Sequence, residues 1–423
     1  MVDAPGEKPR SPVFAVLRIG VSVCAALLSI GLCAYIVFLS SGMFGMLNDF
    51  PQYDAAARLI AQGRAPEVYD TASLLVVERM LYPDLQRPLV IFVPPPAALF
   101  YLPIALFPAS LAFFGWMGML VSALAASIYL MKRQFAVPLV GLGWLVAAVV
   151  SFGPTFEALR VAQPATLMLL ALLLSCGFFR RGDRLVAGAF LALLWLNPLM
   201  LVPLVLFFLG CRQWKVIAGL AAATAVMTAL SLVTFGISGY QNYLHLLFDP
   251  GGADFTQSVI NPTVRGQLGL IFGIDEPVTR YGALAAMLFS FVACLFAGHK
   301  ARVMRHSYDA ALLVALPVGL VTAWQCHDCD VVLAIPGLLS LFLAAERRRQ
   351  AFLTLPIIAG SLVYMIPFFV PLHYFYLLQG GVVNPYFLLL FVFAMGGLFS
   401  FLTGKLPIID EALPATEAAQ AEA

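Results

Sequence analysis

The sequence predicts an all-α, polytopic membrane bundle of about 12 spans, each near the ~20 residues a bilayer requires, with short interfacial helices on its outer face. Three observations carry that prediction. Hydrophobic residues make up 62% of the 423 and charged residues only 11%, with a mean hydropathy of +0.94, whereas soluble chains run nearer ~25% charged. The long Leu, Ala, Val and Phe runs lack the alternation of a half-buried strand. A bilayer also admits only helices or closed barrels, because only these satisfy their own backbone polar groups. The net charge of +2 gives no electrostatic footprint for a nucleic-acid partner.

The elements follow in chain order. Residues 1–13 are polar and read as a cytoplasmic tail. The apolar run at 14–43 is too long for a signal-peptide core and lacks a small-x-small cleavage site, so it reads as a retained first span. Further spans are expected at roughly 110–131, 136–152, 164–179, 214–236, 279–298, 309–325, 329–345, 351–370 and 385–403. Two apolar stretches resist a simple crossing. "PLVIFVPPPAALFYLPIALFP" is interrupted by prolines, and "LVAGAFLALLWLNPLMLVPLVLFFLG" carries Asn197-Pro198 at its centre.

Orientation comes from the basic clusters, since Lys and Arg flanks stay in the cytoplasm. These are Lys8/Arg10, Lys132/Arg133, Arg180/Arg181/Arg184, Arg212/Lys215, Lys300/Arg302/Arg305 and Arg347/Arg348/Arg349. Placing all six inside keeps 94–108 on the outer side as a re-entrant or interfacial helix. It also folds the Asn197 stretch into two short helices, each ~20 Å long at about 1.5 Å per residue, with a turn recessed below the outer surface. Residues 14–404 then form one membrane domain with both termini cytoplasmic, and the acidic, Ala-rich tail at 405–423 reads as disordered.

This layout gathers polar groups on one side. The outer face receives the first loop, 44–93, with Asp49, Tyr53 and Asp54, then Arg160 and Gln163 of "EALRVAQPA", and Asn197. The outer segment 237–278 adds Arg265, and "AWQCHDCDVVLAIP" adds Trp324, His327, Asp328 and Asp330. His373, with Tyr374 and Tyr376, completes the rim. Loops are polar in any membrane protein, but here the opposite face has only short basic connectors. Tyr240, Tyr243, Leu244 and Leu247 share one face of a helix expected to lie on the outer surface, followed by a flexible "DPGGAD" turn.

Several residues carry two readings. Asp49 or Asn48 suits the N-cap of the next helix as well as chemistry. Asp54 lies about 500° around a helix from Asp49 at ~100° per residue, and reads as structural or acceptor-binding. Tyr53 either stacks on a ligand or packs. Arg160 and Arg265 present planar forks suited to phosphate oxygens, although Arg160 also has Glu157 one turn away. Gln163 and Asn197 suit hydrogen bonds to hydroxyl groups, and Asn197 equally suits a hairpin turn. Cys326 and Cys329 beside His327 lack the second ligand pair of a zinc site and the βαβ context of a redox motif. A local disulfide or two free thiols remain. No P-loop, GxGxxG motif or internal repeat is present.

The ordered set of segments resembles glycosyltransferase family 87, within the multi-spanning GT-C superfamily that uses lipid-phosphate sugars. The acidic "NDFPQYDAA" follows the first span, and "FVPPPAALFYLPIALFP" is similar to the family's proline-rich block. "VAQPATLMLLALLL" stands where relatives have Gly-Gln and a leucine run, and "RRGDRLVAGAFLALLWLNPLMLVPLVLFFLGCRQWK" resembles their Arg-flanked Lys-Pro hairpin. "FGISGYQNYLHLL", "NPTVRG" and "HDCDVVLAIPGLL" resemble later blocks. Ala162 replaces the Gly before Gln, and Asn197 replaces the Lys before Pro.

The resemblance implies an inverting transferase that moves a hexose, mannose above all, from polyprenyl phosphate to a lipid or glycan acceptor. It implies Asp49 as general base and Arg160, Gln163, Asn197 and Arg265 around the donor. Tyr53, Asp54, Trp324, His327, Asp328, Asp330 and His373 would serve the acceptor or support the site. No cofactor is required, a divalent cation is left open, and a bacterial inner membrane is the expected location. The competing reading is a secondary transporter or lipid flippase, and a third is a scaffold for an envelope-polymer complex. Transporters carry repeats and midplane charges on broken helices. Here the charges lie at span ends, and only Asn197-Pro198 breaks a span.

Overall fold

The computed structural model describes residues 19–31, 34, 49–83, 85, 89–137, 139–248, 260–302, 307–348 and 380–403. Both tails, most of the first span, the 351–370 span, the 249–254 turn, His373, Tyr374 and Tyr376 lie outside the described residues. Among the described residues every regular element is helical.

After α1 (Ile19–Gly31), the stretch expected as the first loop is a folded unit rather than a wet connector. It contains α2 (Phe50–Ala61), a 3₁₀ turn at Ala65–Tyr69 and α3 (Thr71–Leu81). Phe50, the Ala55–Ala57 run and Leu59 are buried, and the Asp70 side chain caps α3 at the Ala72 amide. Asp54 is enclosed with Arg58 at 2.9 Å and the Tyr82 hydroxyl at 2.9 Å, bracing α2 against the end of α3.

The proline block forms α4 (Pro95–Ala98), which continues as a 3₁₀ helix over Leu99–Leu106. At ~2 Å per residue the 3₁₀ piece is only about 16 Å long, so it packs on α2 without crossing. Next come α5 (Ala109–Gln134), α6 (Leu139–Val150) and α7 (Gly153–Arg160). The expected crossing at 136–152 is in fact the first limb of a pair bent by 56°. Pro154, which lacks an N–H, starts a new helix there.

Then follow α8 (Ala165–Arg180), α9 (Arg184–Leu191) with a 3₁₀ tail at Ala192–Leu196, and α10 (Pro198–Gly210). Asn197 is the break, extended at φ −141°, ψ 87°. The long α11 (Trp214–Phe248) kinks at Gly236, whose φ of 61° with ψ −177° is open only to glycine. That kink resets the helical phase. Beyond it Gly239 and Leu246 are buried and Tyr243 packs on the core, while Leu244 and Leu247 are 50% and 42% exposed.

The remaining elements are α12 (Val264–Phe272), α13 (Pro277–Ala301), α14 (Ser307–Thr322), a 3₁₀ helix at Asp328–Ala334, α15 (Ile335–Arg348) and α16 (Pro385–Leu402). Among the described residues four single helices (α5, α11, α13 and α16) have the length and composition to cross a bilayer, or five spans with the bent pair. The Arg180 guanidinium ties α8 to α14 through Asp309 at 2.5 Å.

Glycines set the closest helix contacts. A Cβ on Gly188 would stand 1.9 Å from the Val216 carbonyl oxygen, and one on Gly219 1.9 Å from that of Leu185. The same reciprocity joins α10 to α13, with Gly210 facing the Leu295 carbonyl at 2.3 Å and Gly298 facing that of Phe207 at 2.1 Å. Small residues thus bring backbones together where no hydrophobic drive exists between helices in lipid. Gly188→Ala is expected to destabilise the protein by ~1–3 kcal/mol through overpacking. The check is a lower unfolding temperature in detergent, and an unchanged temperature would mean that α9 and α11 can part freely.

Candidate active site

Asp49 occupies the N-cap position of α2, yet its side chain makes no cap hydrogen bond. The acid points elsewhere. Its backbone N–H donates to the Val161 carbonyl at 3.0 Å, and its carboxylate accepts from Gln163 Nε2. Both partners belong to the turn that ends α7, where Ala162 stands at φ 59°. The N–H groups of Ala162 and Gln163 close this turn on Leu159 and Ala158.

Around the acid the surface is aromatic. Tyr53 stacks on Tyr101 with centroids 4.4 Å apart, and Trp116 lies against both at 5.8 and 5.7 Å. The Asp49 charge acts on both phenols. Burial pushes the Asp49 carboxyl above the usual carboxylate range, opposed chiefly by His327, then by the Gln163 hydrogen bond and Arg160.

His327 comes from the segment between α14 and α15, against which α7 packs. It caps the Asp328–Ala334 3₁₀ helix in a reciprocal box with Asp330. The Asp330 carboxylate accepts the His327 N–H at 2.9 Å and Asn197 Nδ2 at 3.0 Å. Gln325 Nε2 lies 3.2 Å from His327 Nε2. The broken Asn197 hairpin, the 3₁₀ helix and the first-loop acid therefore converge. Asp328 is buried close enough to Tyr386 to act on it electrostatically, together with Glu157.

The two arginines differ. Arg160 is bound to Glu157 Oε2 through Nε at 2.9 Å and Nη2 at 2.7 Å. Arg265 lies 9% exposed in the first turn of α12, its guanidinium 4.3 Å above the Trp324 ring. Its Nε and Nη1 have no hydrogen-bond partner among the described residues, nor does Asn261 Nδ2. Burial works against the Arg265 charge, with only Asp275 favouring it. Asn261 Oδ1 accepts the Cys326 N–H at 3.2 Å, tying this segment to the His327 segment.

Cys326 and Cys329 are buried free thiols, so of the two remaining readings the disulfide drops out. No cluster of metal-ligating side chains occurs among the described residues. Sequence reasoning missed Tyr101, Trp116 and Asn261. A tryptophan inside a span was the available signal for the second, since a buried indole N–H seeks an acceptor.

The sequence model of glycosyltransferase family 87 matches residues 92–326, more than half of the 423. The chain belongs to glycosyltransferase family 87. No curated protein and no solved structure matches it. As a family-87 member it is a glycosyltransferase, a membrane enzyme with a sugar donor and an acceptor as substrates. The matched interval holds the proline block, the Ala162–Gln163 turn, Asn197, Arg265 and Trp324. Asp49 lies before it and His327–Asp330 just after, yet the fold brings both onto the matched core.

Proposed function

We propose that this glycosyltransferase takes a hexose, mannose in the first instance, from a polyprenyl-phosphate carrier. It passes the sugar to a lipid or glycan hydroxyl at the outer face of a bacterial inner membrane, with inversion. One observation carries the reading: residues 324–330 meet a buried acid at one end and a buried cation at the other. His327 and Asp330 stand with Asp49, and Trp324 underlies Arg265. His327 follows Trp324 by three positions, at most about 10 Å of chain.

The chemistry divides accordingly. The acceptor oxygen attacks the anomeric carbon as Asp49 takes its proton, and the carbon–oxygen bond to phosphate breaks with its electron pair going to the phosphate. Arg265 receives the departing phosphate through the open Nε and Nη1 donors. Gln163 and Asn197 hold the acid and Asp330 and face the sugar hydroxyls. Tyr53 and Tyr101 offer an aromatic wall, Arg160 contributes field, and His327, Asp328 and Asp330 line the acceptor side.

The test is reconstitution in vesicles with purified polyprenyl-phosphate mannose and a lipid acceptor. Labelled sugar is expected to move covalently from the lipid carrier and not from a nucleotide sugar. Transfer from the nucleotide sugar alone would overturn the donor assignment. Uptake of unmodified lipid or sugar without conversion would favour the transporter reading.

A further inference from the structure

Trp116 stands in the first third of α5, 1% exposed, and its indole Nε1 donates to the Ala162 carbonyl at 2.8 Å. Ala162 is buried and holds φ 59°, a left-handed backbone that residues with a side chain rarely adopt. The backbone bonds that end α7 close this turn, as they do at Ala136 and Arg212, and at Ala162 the indole adds a side-chain donor on the carbonyl. The flanking residues are the two that grip Asp49. The Val161 carbonyl receives the Asp49 N–H, and Gln163 Nε2 binds its carboxylate. If Ala162 relaxed to negative φ, the peptide groups on both sides would rotate and both holds on Asp49 would go. The indole also supports the Tyr53–Tyr101 stack beside the same acid.

We propose that Trp116 is a positioning residue for Asp49, acting through the Ala162 carbonyl without touching substrate. The inference rests on the reading of Asp49 as base.

The test compares wild type, Trp116→Phe, Ala162→Gly and the double variant in reconstituted vesicles. Turnover, donor KM, the pH profile and unfolding temperature are measured for each. Trp116→Phe keeps the ring but loses the N–H. It is expected to lower kcat ~10- to 100-fold, the scale of an ångström-sized misplacement, with little change in donor KM. Its acid limb should move to higher pH, because the Gln163 hydrogen bond that favours the ionised acid is loosened.

Adding Ala162→Gly should restore most of the turnover and return the acid limb, since glycine holds the turn unaided. Ala162→Gly alone is expected to raise the unfolding temperature. An acid limb unmoved in Trp116→Phe, or no rescue by the glycine, would make the indole packing only and overturn the proposal. Should Trp116→Phe fail to fold, a lowered or unchanged unfolding temperature in Ala162→Gly does the same. Full turnover in Asp49→Asn would instead strike the base reading. Loss there, with Trp116→Phe unaffected, strikes the positioning alone.

Discussion

Asp49→Asn is expected to lower sugar transfer by ~10²–10⁴-fold in kcat, the usual worth of a positioned general base. The amide keeps the size of the side chain and an acceptor oxygen for Gln163, so the fold should survive and donor KM should change little. The pH dependence follows from burial, which holds the carboxyl above its ordinary 3.8. As pH falls through the raised value the acid is protonated and turnover is lost. Above it the base is ready and the rate levels off.

The same shift acts on stability with the opposite sense. Between 3.8 and the raised value the native state binds more protons than the unfolded chain, so stability falls as pH rises through that window. Asp49→Asn should therefore unfold at a higher temperature than wild type at pH 7, with a smaller difference at pH 4. Wild-type turnover in the variant would remove Asp49 from the reaction.

Arg265→Ala is the second large effect, expected to reduce kcat/KM for the lipid-phosphate donor by ~10²–10³-fold, as loss of a preorganised charge-stabilising donor does. The guanidinium is buried on Trp324 with Nε and Nη1 unengaged among the described residues. An unpaired buried charge costs free energy until an anion arrives. In the absence of substrate, Arg265→Met should thus be as stable as wild type or more so, although inactive. Arg265→Lys should recover only part of the activity, because an ammonium lacks the planar fork and stacks poorly. A large drop in unfolding temperature for Arg265→Met, with donor kinetics unchanged, would make the stack a structural contact.

Much of the site was legible because polar groups are costly in so apolar a chain. Asp49, Gln163, Asn197 and Asp330 each interrupt or border a greasy run, and the structure ties them by hydrogen bonds into two pairs, Asp49 with Gln163 and Asn197 with Asp330. The two arginines were not separable by sequence. Glu157 one turn before Arg160 could equally have faced away, and only the structure shows it bound while Arg265 Nε and Nη1 are unengaged among the described residues.

Trp116 and Tyr101 were illegible for a simpler reason. Each looks like bulk filling in a hydrophobic stretch, and nothing local tells which carbonyl an indole will find 46 residues away. The fold shows the same division. Helix content and the Asn197 break followed from composition and proline. The bent pair at 151–152 and the buried face beyond Gly236 did not, because phase across a kink depends on one residue's dihedrals.

The glycine contacts also bear on where this molecule can breathe. The limb before Asn197 is clamped backbone-to-backbone on α11 and the limb after it on α13, so neither can slide without a collision. Asn197 thus rides between two clamped limbs. Hydrogen-exchange labelling is expected to be slowest along the hairpin and faster in helices without such clamps.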